Sequence, residues 1–144
     1  MSIIVKESHN SEETWKLGYE LAEEAAPGDV VCLIGDLGVG KTVFSQGFGA
    51  GIGVKDFINS PTFTIVQVYE EGRIPFYHFD VYRLADEDEL LEIGFDEMID
   101  GDGVSLIEWA DQIPHSLPEH YKEVRIEKVL SQGFDYRKVT ITEV

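Results

Sequence analysis

Residues 30–42 read Val30-Val31-Cys32-Leu33-Ile34-Gly35-Asp36-Leu37-Gly38-Val39-Gly40-Lys41-Thr42. The five apolar residues that open the stretch are mostly β-branched and predict a strand buried on both faces, stopping at Gly35. The eight that follow satisfy G-x-x-x-x-G-K-[ST], and a helix is predicted from Lys41 to about Gly51. That is the context in which such a loop binds phosphate. Glycines let the backbone of Asp36, Leu37, Gly38, Val39 and Gly40 curl so that successive N–H groups point inward, and the positive end of the following helix adds to them. Lys41 then neutralises the terminal phosphates. The hydroxyl of Thr42 suits Mg²⁺, a hard cation that prefers oxygen ligands and keeps several waters. The expected ligand is a magnesium nucleoside triphosphate, ATP in the first instance.

Outward from this loop, Asn10 and Ser11 can each cap a helix from about Ser11 to Ala26, with Glu12 and Glu13 at its positive end. Leu17, Leu21 and Ala25 give that helix one apolar stripe, and Phe44 and Phe48 share one side of the helix after the loop. A short apolar stretch, Ile3 to Val5, precedes them. Thr62 to Glu70 and Ile74 to Phe79 are predicted to form a hairpin across the Glu71-Gly72 turn. The acidic segment 86–100 has Leu90, Leu91, Ile93 and Met98 at broadly helical spacing, interrupted by Gly94. Val104 to Trp109 is a further strand, and Tyr121 to Val129 with Arg137 to Val144 is a closing pair. The fold class expected is α/β, a P-loop NTPase-like three-layer sandwich whose mixed sheet includes antiparallel hairpins, in one domain over residues 1–144.

Two of these strands end on carboxylates. Phe76-Tyr77-His78-Phe79 runs into Asp80, and Val104-Ser105-Leu106-Ile107 runs into Glu108. Ligands of open α/β sheets bind at the C-terminal ends of strands, so one acid is expected to hold Mg²⁺, directly or through water, and the other to orient the attacking water. The sequence does not assign the two roles. Ser60-Pro61-Thr62 starts a strand about twenty residues past the loop, where the hydroxyl of Thr62 suits sensing of the γ-phosphate. His78 reads as a packed or hydrogen-bonded strand residue, with no second histidine at ligand spacing. Strand alternation sends Trp109 away from the direction of Glu108 unless the strand has already ended.

The chain of 144 residues is 43% hydrophobic and carries 28 acidic against 11 basic residues, a formal charge of −17. No cluster of Lys and Arg suits a phosphate backbone, so direct nucleic-acid binding is not expected. The acidity maintains solubility or favours a partner with a basic surface. No apolar run spans a membrane, no secretory signal opens the chain, and the single cysteine, Cys32, sits in an apolar run, so a cytoplasmic protein is expected.

With GDLGVGKT, NSPTFTIVQVYE, FYHFDVYRL and LIEWAD in that order, the chain resembles the TsaE family, formerly called YjeE, the bacterial ATPases of tRNA threonylcarbamoyladenosine biosynthesis. The likeness covers nearly the whole chain. The loop alone is generic; SPTF, HFDxYR and EWA in sequence are specific to the family. The resemblance implies ATP hydrolysis in support of TsaB and TsaD, which transfer a threonylcarbamoyl group to adenosine 37 of tRNA. It implies Lys41 and Thr42 on phosphates and Mg²⁺, Thr62 in a switch-like loop, Asp80 as the Walker B-type acid, Glu108 as a second metal or catalytic acid and Trp109 as a functional aromatic beside it. Ser11 and Arg137 match segments that lie near the nucleotide.

Two other classes share the loop. A small-molecule kinase needs several arginines to clamp the transferred phosphoryl group, and the four here, Arg73, Arg83, Arg125 and Arg137, are scattered. A GTPase switch is imitated by Asp100-Gly101-Asp102-Gly103, but that element precedes a strand and no N-K-x-D signature is present.

Overall fold

The computed structural model describes residues 2–36, 38–56, 58, 61 and 65–144. Seven strands form one mixed sheet: β1 (Ile3–Ser8), β2 (Val30–Ile34), β3 (Val66–Tyr69), β4 (Phe76–Asp80), β5 (Val104–Glu108), β6 (Lys122–Lys128) and β7 (Arg137–Glu143). Their spatial order is β1-β7-β6-β2-β5-β4-β3. The four middle strands, β6, β2, β5 and β4, run parallel, and antiparallel pairs flank them on both sides: β6 with β7 and β7 with β1, and β4 with β3. The expected hairpin is present as β3 and β4, but its first strand begins at Val66, because Ile65 takes a left-handed φ of 66° and stands outside the strand; the closing pair is present as β6 and β7. The apolar stretch at Ile3 to Val5 becomes an edge strand.

All five residues of β2 are buried, as its continuous apolar run requires. Val31 and Leu33 join a cluster with Val104 and Leu106 of β5, Val124 and Ile126 of β6, and helices α1 (Ser11–Glu23) and α2 (Lys41–Ile52). Val30 and Cys32 alternate to the other side and meet Phe79, Ile107 and helices α3 (Glu89–Glu92) and α4 (Phe95–Ile99). Burial pushes the Cys32 thiol up to about 12. The acidic segment is thus helical but in two pieces, because Gly94 takes a left-handed φ of 75°. Leu90 of the first piece and Phe95 and Ile99 of the second are buried, whereas Leu91, next to Leu90, is exposed.

Asn10, not Ser11, caps α1: it is extended (φ −164°), and its side chain accepts from Glu13 N at 2.9 Å. The helix ends three residues earlier than expected, at Glu23. There Arg73, from the turn between β3 and β4, donates through Nη2 to Ala22 O at 2.6 Å and Ala25 O at 2.8 Å, satisfying carbonyls at the negative end of the helix. Arg73→Ala is expected to lower stability by about 1 kcal/mol in urea unfolding, with salt reducing the difference.

Helices α1 and α2 approach at backbone distance. A Cβ on Gly18 would lie 2.2 Å from Phe44 O, on Gly47 1.9 Å from Trp15 O, and on Gly51 2.5 Å from Tyr19 O. Each helix therefore presents glycine to the other's carbonyls. This contact sets the distance of α2, and of the loop that starts it, from the rest of the fold.

Candidate functional site

The parallel strands β2, β4 and β5 bring their C-terminal ends to one edge, and the register places Asp80 directly beside Glu108. A cleft of about 460 Å³ opens there, lined by Gly38, Gly40, Lys41 and Thr42 from the loop, Asp80, Tyr82 and Arg83 after β4, Glu108 and Trp109 after β5, and Ile65. Loop, hydroxyl and both carboxylates, inferred separately from sequence, thus share one cavity. Leu37, Ser60 and Thr62 lie outside the described residues.

Lys41 is folded onto its own loop. Nζ donates to Asp36 O at 2.8 Å and to Gly35 O, and lies 4.0 Å from the centre of the Trp109 ring. Burial holds its pKa below the ordinary lysine value, against the pull of Glu108, Asp36, Asp80 and Asp111. Gly40 at the head of α2 has φ 107°, a left-handed conformation that needs glycine.

Trp109 resolves the alternation problem. The strand ends at Glu108, and Trp109 itself takes φ 64°, which turns its half-buried ring back over Lys41 and against Tyr82, 4.6 Å between ring centres. A non-glycine residue there costs about 1 kcal/mol. In a Trp15→Phe background, Mg-ATP is expected to change Trp109 emission as Lys41 leaves the ring; emission unaltered at saturation would count against ligand binding at this cleft.

The two acids differ in setting. Glu108 is 2% exposed, with Oε2 at 2.6 Å from His78 Nε2 and 3.1 Å from Ser45 Oγ. Asp80 is half-buried, and its Oδ1 accepts from Tyr82 N at 3.0 Å. Among the described residues no group of three or more His, Cys, Asp or Glu is placed to hold a metal by itself. Thr42, Asp80 and Glu108 supply oxygens only, which fits Mg²⁺ completed by phosphate and water rather than an all-protein cage.

A second cleft of about 270 Å³ lies across the loop and shares Gly38 and Gly40 with the first. It holds Ser11, Val39 and Arg137, so these residues sit beside the loop but not beside the acids. Arg137 is engaged with backbone: Nε donates to Val39 O at 2.9 Å, and Nη1 to Phe134 O and Tyr136 O at 2.8 Å each. It braces the loop from β7. Sequence gave no sign of this, because the bond joins segments almost a hundred positions apart.

The remaining arginines do not assemble a lid. Arg73 caps α1, Arg125 lies 3.6 Å from Glu123, and Arg83 alone of the four lines the first cleft. Asp100 to Gly103 precedes β5, at the sheet edge opposite the cleft.

A sequence profile described as threonylcarbamoyl adenosine biosynthesis protein TsaE matches residues 8–138. The chain belongs to the TsaE family. Among TsaE-family relatives, the tRNA threonylcarbamoyladenosine biosynthesis protein TsaE of Bacillus subtilis is 46% identical over 135 residues, covering 94% of this chain and 82% of that one. The protein of the same name from Treponema pallidum is 38% identical over 134 residues, covering 93% and 96%. A crystal structure of Bacillus subtilis YdiB superposes with a TM-score of 0.85 at 38% identity, over 99% of this chain and 86% of that chain. The α/β fold with its mixed sheet is therefore the fold of a solved protein. No helix among the described residues is long and apolar enough to cross a membrane.

Proposed function

We propose that this chain is a P-loop NTPase-like three-layer protein that binds and hydrolyses Mg-ATP in the cytoplasm. It does so in support of threonylcarbamoylation of adenosine 37 in tRNA, with TsaB and TsaD as its partners. The observation that carries the reading is the single cleft in which Lys41 and Thr42 of the loop face Asp80 and Glu108 at adjacent strand ends. Membership of the TsaE family supports the pathway and the partners.

In this reading the loop amides and Lys41 hold the phosphates, and Lys41 exchanges Gly35 O and Asp36 O for phosphate oxygens. Thr42 and one of the two acids would present oxygens to Mg²⁺, which when bound would neutralise charge on the transferred group. Whichever of Asp80 and Glu108 is not occupied in that way orients the water. Trp109 and Tyr82 wall the cleft, Thr62 belongs to the γ-phosphate side, and Ser11 and Arg137 flank the part of the nucleotide beyond the loop.

The charge-stabilising set is sparse, with Arg83 the sole arginine lining the cleft among the described residues. Hydrolysis by the isolated chain is expected to be slow, because a supplied arginine is worth roughly a thousandfold or more. The test is phosphate release by the chain alone and with purified TsaB and TsaD, with Lys41→Ala as control. A rise with the pair, absent in Lys41→Ala, is expected. Turnover of about ten per second alone, unchanged by the pair, would contradict a partner-completed site, and unchanged ATP affinity in folded Lys41→Ala would remove the nucleotide reading.

A further inference from the structure

We infer that His78 is a positioning residue for hydrolysis, one that fixes the orientation of the Glu108 carboxylate; the inference rests on the ATPase reading above. On β4 the side chains of His78 and Asp80 fall on the same face, because strand residues alternate. The β4–β5 register pairs Asp80 with Glu108 and His78 with Leu106, so His78 lies one step below the two acids. It is 0% exposed, and its ring stacks on Phe76 with 5.8 Å between centres and 11° between planes.

A carboxylate only accepts, so at 2.6 Å from Glu108 Oε2 the proton belongs to His78 Nε2. Ser45 Oγ reaches the same oxygen at 3.1 Å and lies 2.9 Å from Lys41 O, which ties the carboxylate to the first turn of α2. Both contacts fall on Oε2. Oε1 makes no hydrogen bond among the described residues, and Glu108 lines the cleft.

Packing alone does not explain a histidine here. Nδ1 of His78 is buried with no hydrogen-bond partner among the described residues. A buried polar atom without a partner is a cost that a leucine or phenylalanine of similar volume would avoid. The return is the Nε2 contact, which holds one carboxylate oxygen so that the other points in a fixed direction, as partners behind metal-site side chains do.

The test compares wild type, His78→Leu and His78→Gln, the last keeping an N–H donor near the Nε2 position. His78→Leu is expected to lose about 10- to 100-fold in kcat, with ATP affinity within about twofold of wild type and His78→Gln within about fivefold in kcat. Unfolding temperatures, measured alongside, separate this from a structural effect. A kcat for His78→Leu within about twofold of wild type, or equal losses in both variants that track the unfolding temperature, would overturn the role.

Imidazole ¹⁵N NMR of the wild-type chain gives a second readout without turnover. An Nε2-protonated ring whose signals shift in Glu108→Gln is expected, and unchanged signals would overturn the contact itself. No hydrolysis by wild type, with the NMR shift present, would instead overturn the ATPase reading and with it this role in hydrolysis.

Discussion

Glu108→Gln is expected to retain nucleotide binding and to lose about 10²- to 10⁴-fold in turnover, the range for removing a positioned acid or base. Glutamine is the informative substitution because Glu108 is buried and its Oε2 lies within reach of His78 Nε2 and Ser45 Oγ. Alanine would leave His78 Nε2 without its acceptor and open a void, so a loss in Glu108→Ala would mix chemistry with collapse. Glutamine keeps volume and one acceptor and removes the charge that Mg²⁺ or the attacking water requires. Phosphate release with both partners present measures the loss, and Trp109 emission measures binding. Asp80→Asn is expected to act in the same direction but less, since Asp80 sits half-exposed at the rim and already spends Oδ1 on Tyr82 N. Turnover at the wild-type rate in Glu108→Gln would show that the residue only ends a strand.

The second large effect is on the fold. In Gly47→Ala the added Cβ would lie 1.9 Å from Trp15 O, 2.7 Å from Trp15 C and 3.0 Å from Trp15 Cα, all backbone, so no side chain can rotate away. The helices must separate, and the cost expected is about 3 kcal/mol, the upper part of the usual range for overpacking. Helix propensity works the other way by about 1 kcal/mol and does not offset it. Because α2 begins at the glycine-rich loop, folded Gly47→Ala is also expected, on the proposed reading, to bind Mg-ATP more weakly, although residue 47 does not line either cleft beside the loop. Urea unfolding and a nucleotide titration check the two parts. Wild-type stability would mean that the helices do not pack on these glycines.

The loop, the strand before it and the helix after it were legible because each has a local signature: a continuous apolar run, spaced glycines and the Phe44–Phe48 interval. Asp80 and Glu108 were legible as strand-ending acids, but their difference was not. It depends on His78, which the parallel register of β4 and β5 brings to Glu108, and on Ser45 of helix α2, which packs over that face of the sheet. Trp109 was ambiguous for a specific reason. Alternation predicts its direction only inside a strand, and a left-handed turn at the first residue past the end reverses the result. The N-cap of α1 was undecided between two neighbours with similar side chains, and the donor at the other end of the helix, Arg73, comes from about fifty positions away. Arg137 was placed near the nucleotide by resemblance alone; its bonds to Val39, Phe134 and Tyr136 could not be inferred from spacing.

Among the described residues strand β1 pairs only with β7, Val5 opposite Thr140, and Arg137 at the start of β7 holds the carbonyl of Val39. During synthesis, therefore, the glycine-rich loop leaves the ribosome long before its brace. Ile3, Ile4 and Val5, still largely exposed in the finished sheet, have no strand to join until residues 137–143 are made. Such distant pairings slow folding and leave an apolar edge open in the interval. The bond from Arg137 to the loop thus forms late in the life of the nascent chain, and a truncated product ending before Arg137 would carry the loop sequence without its support.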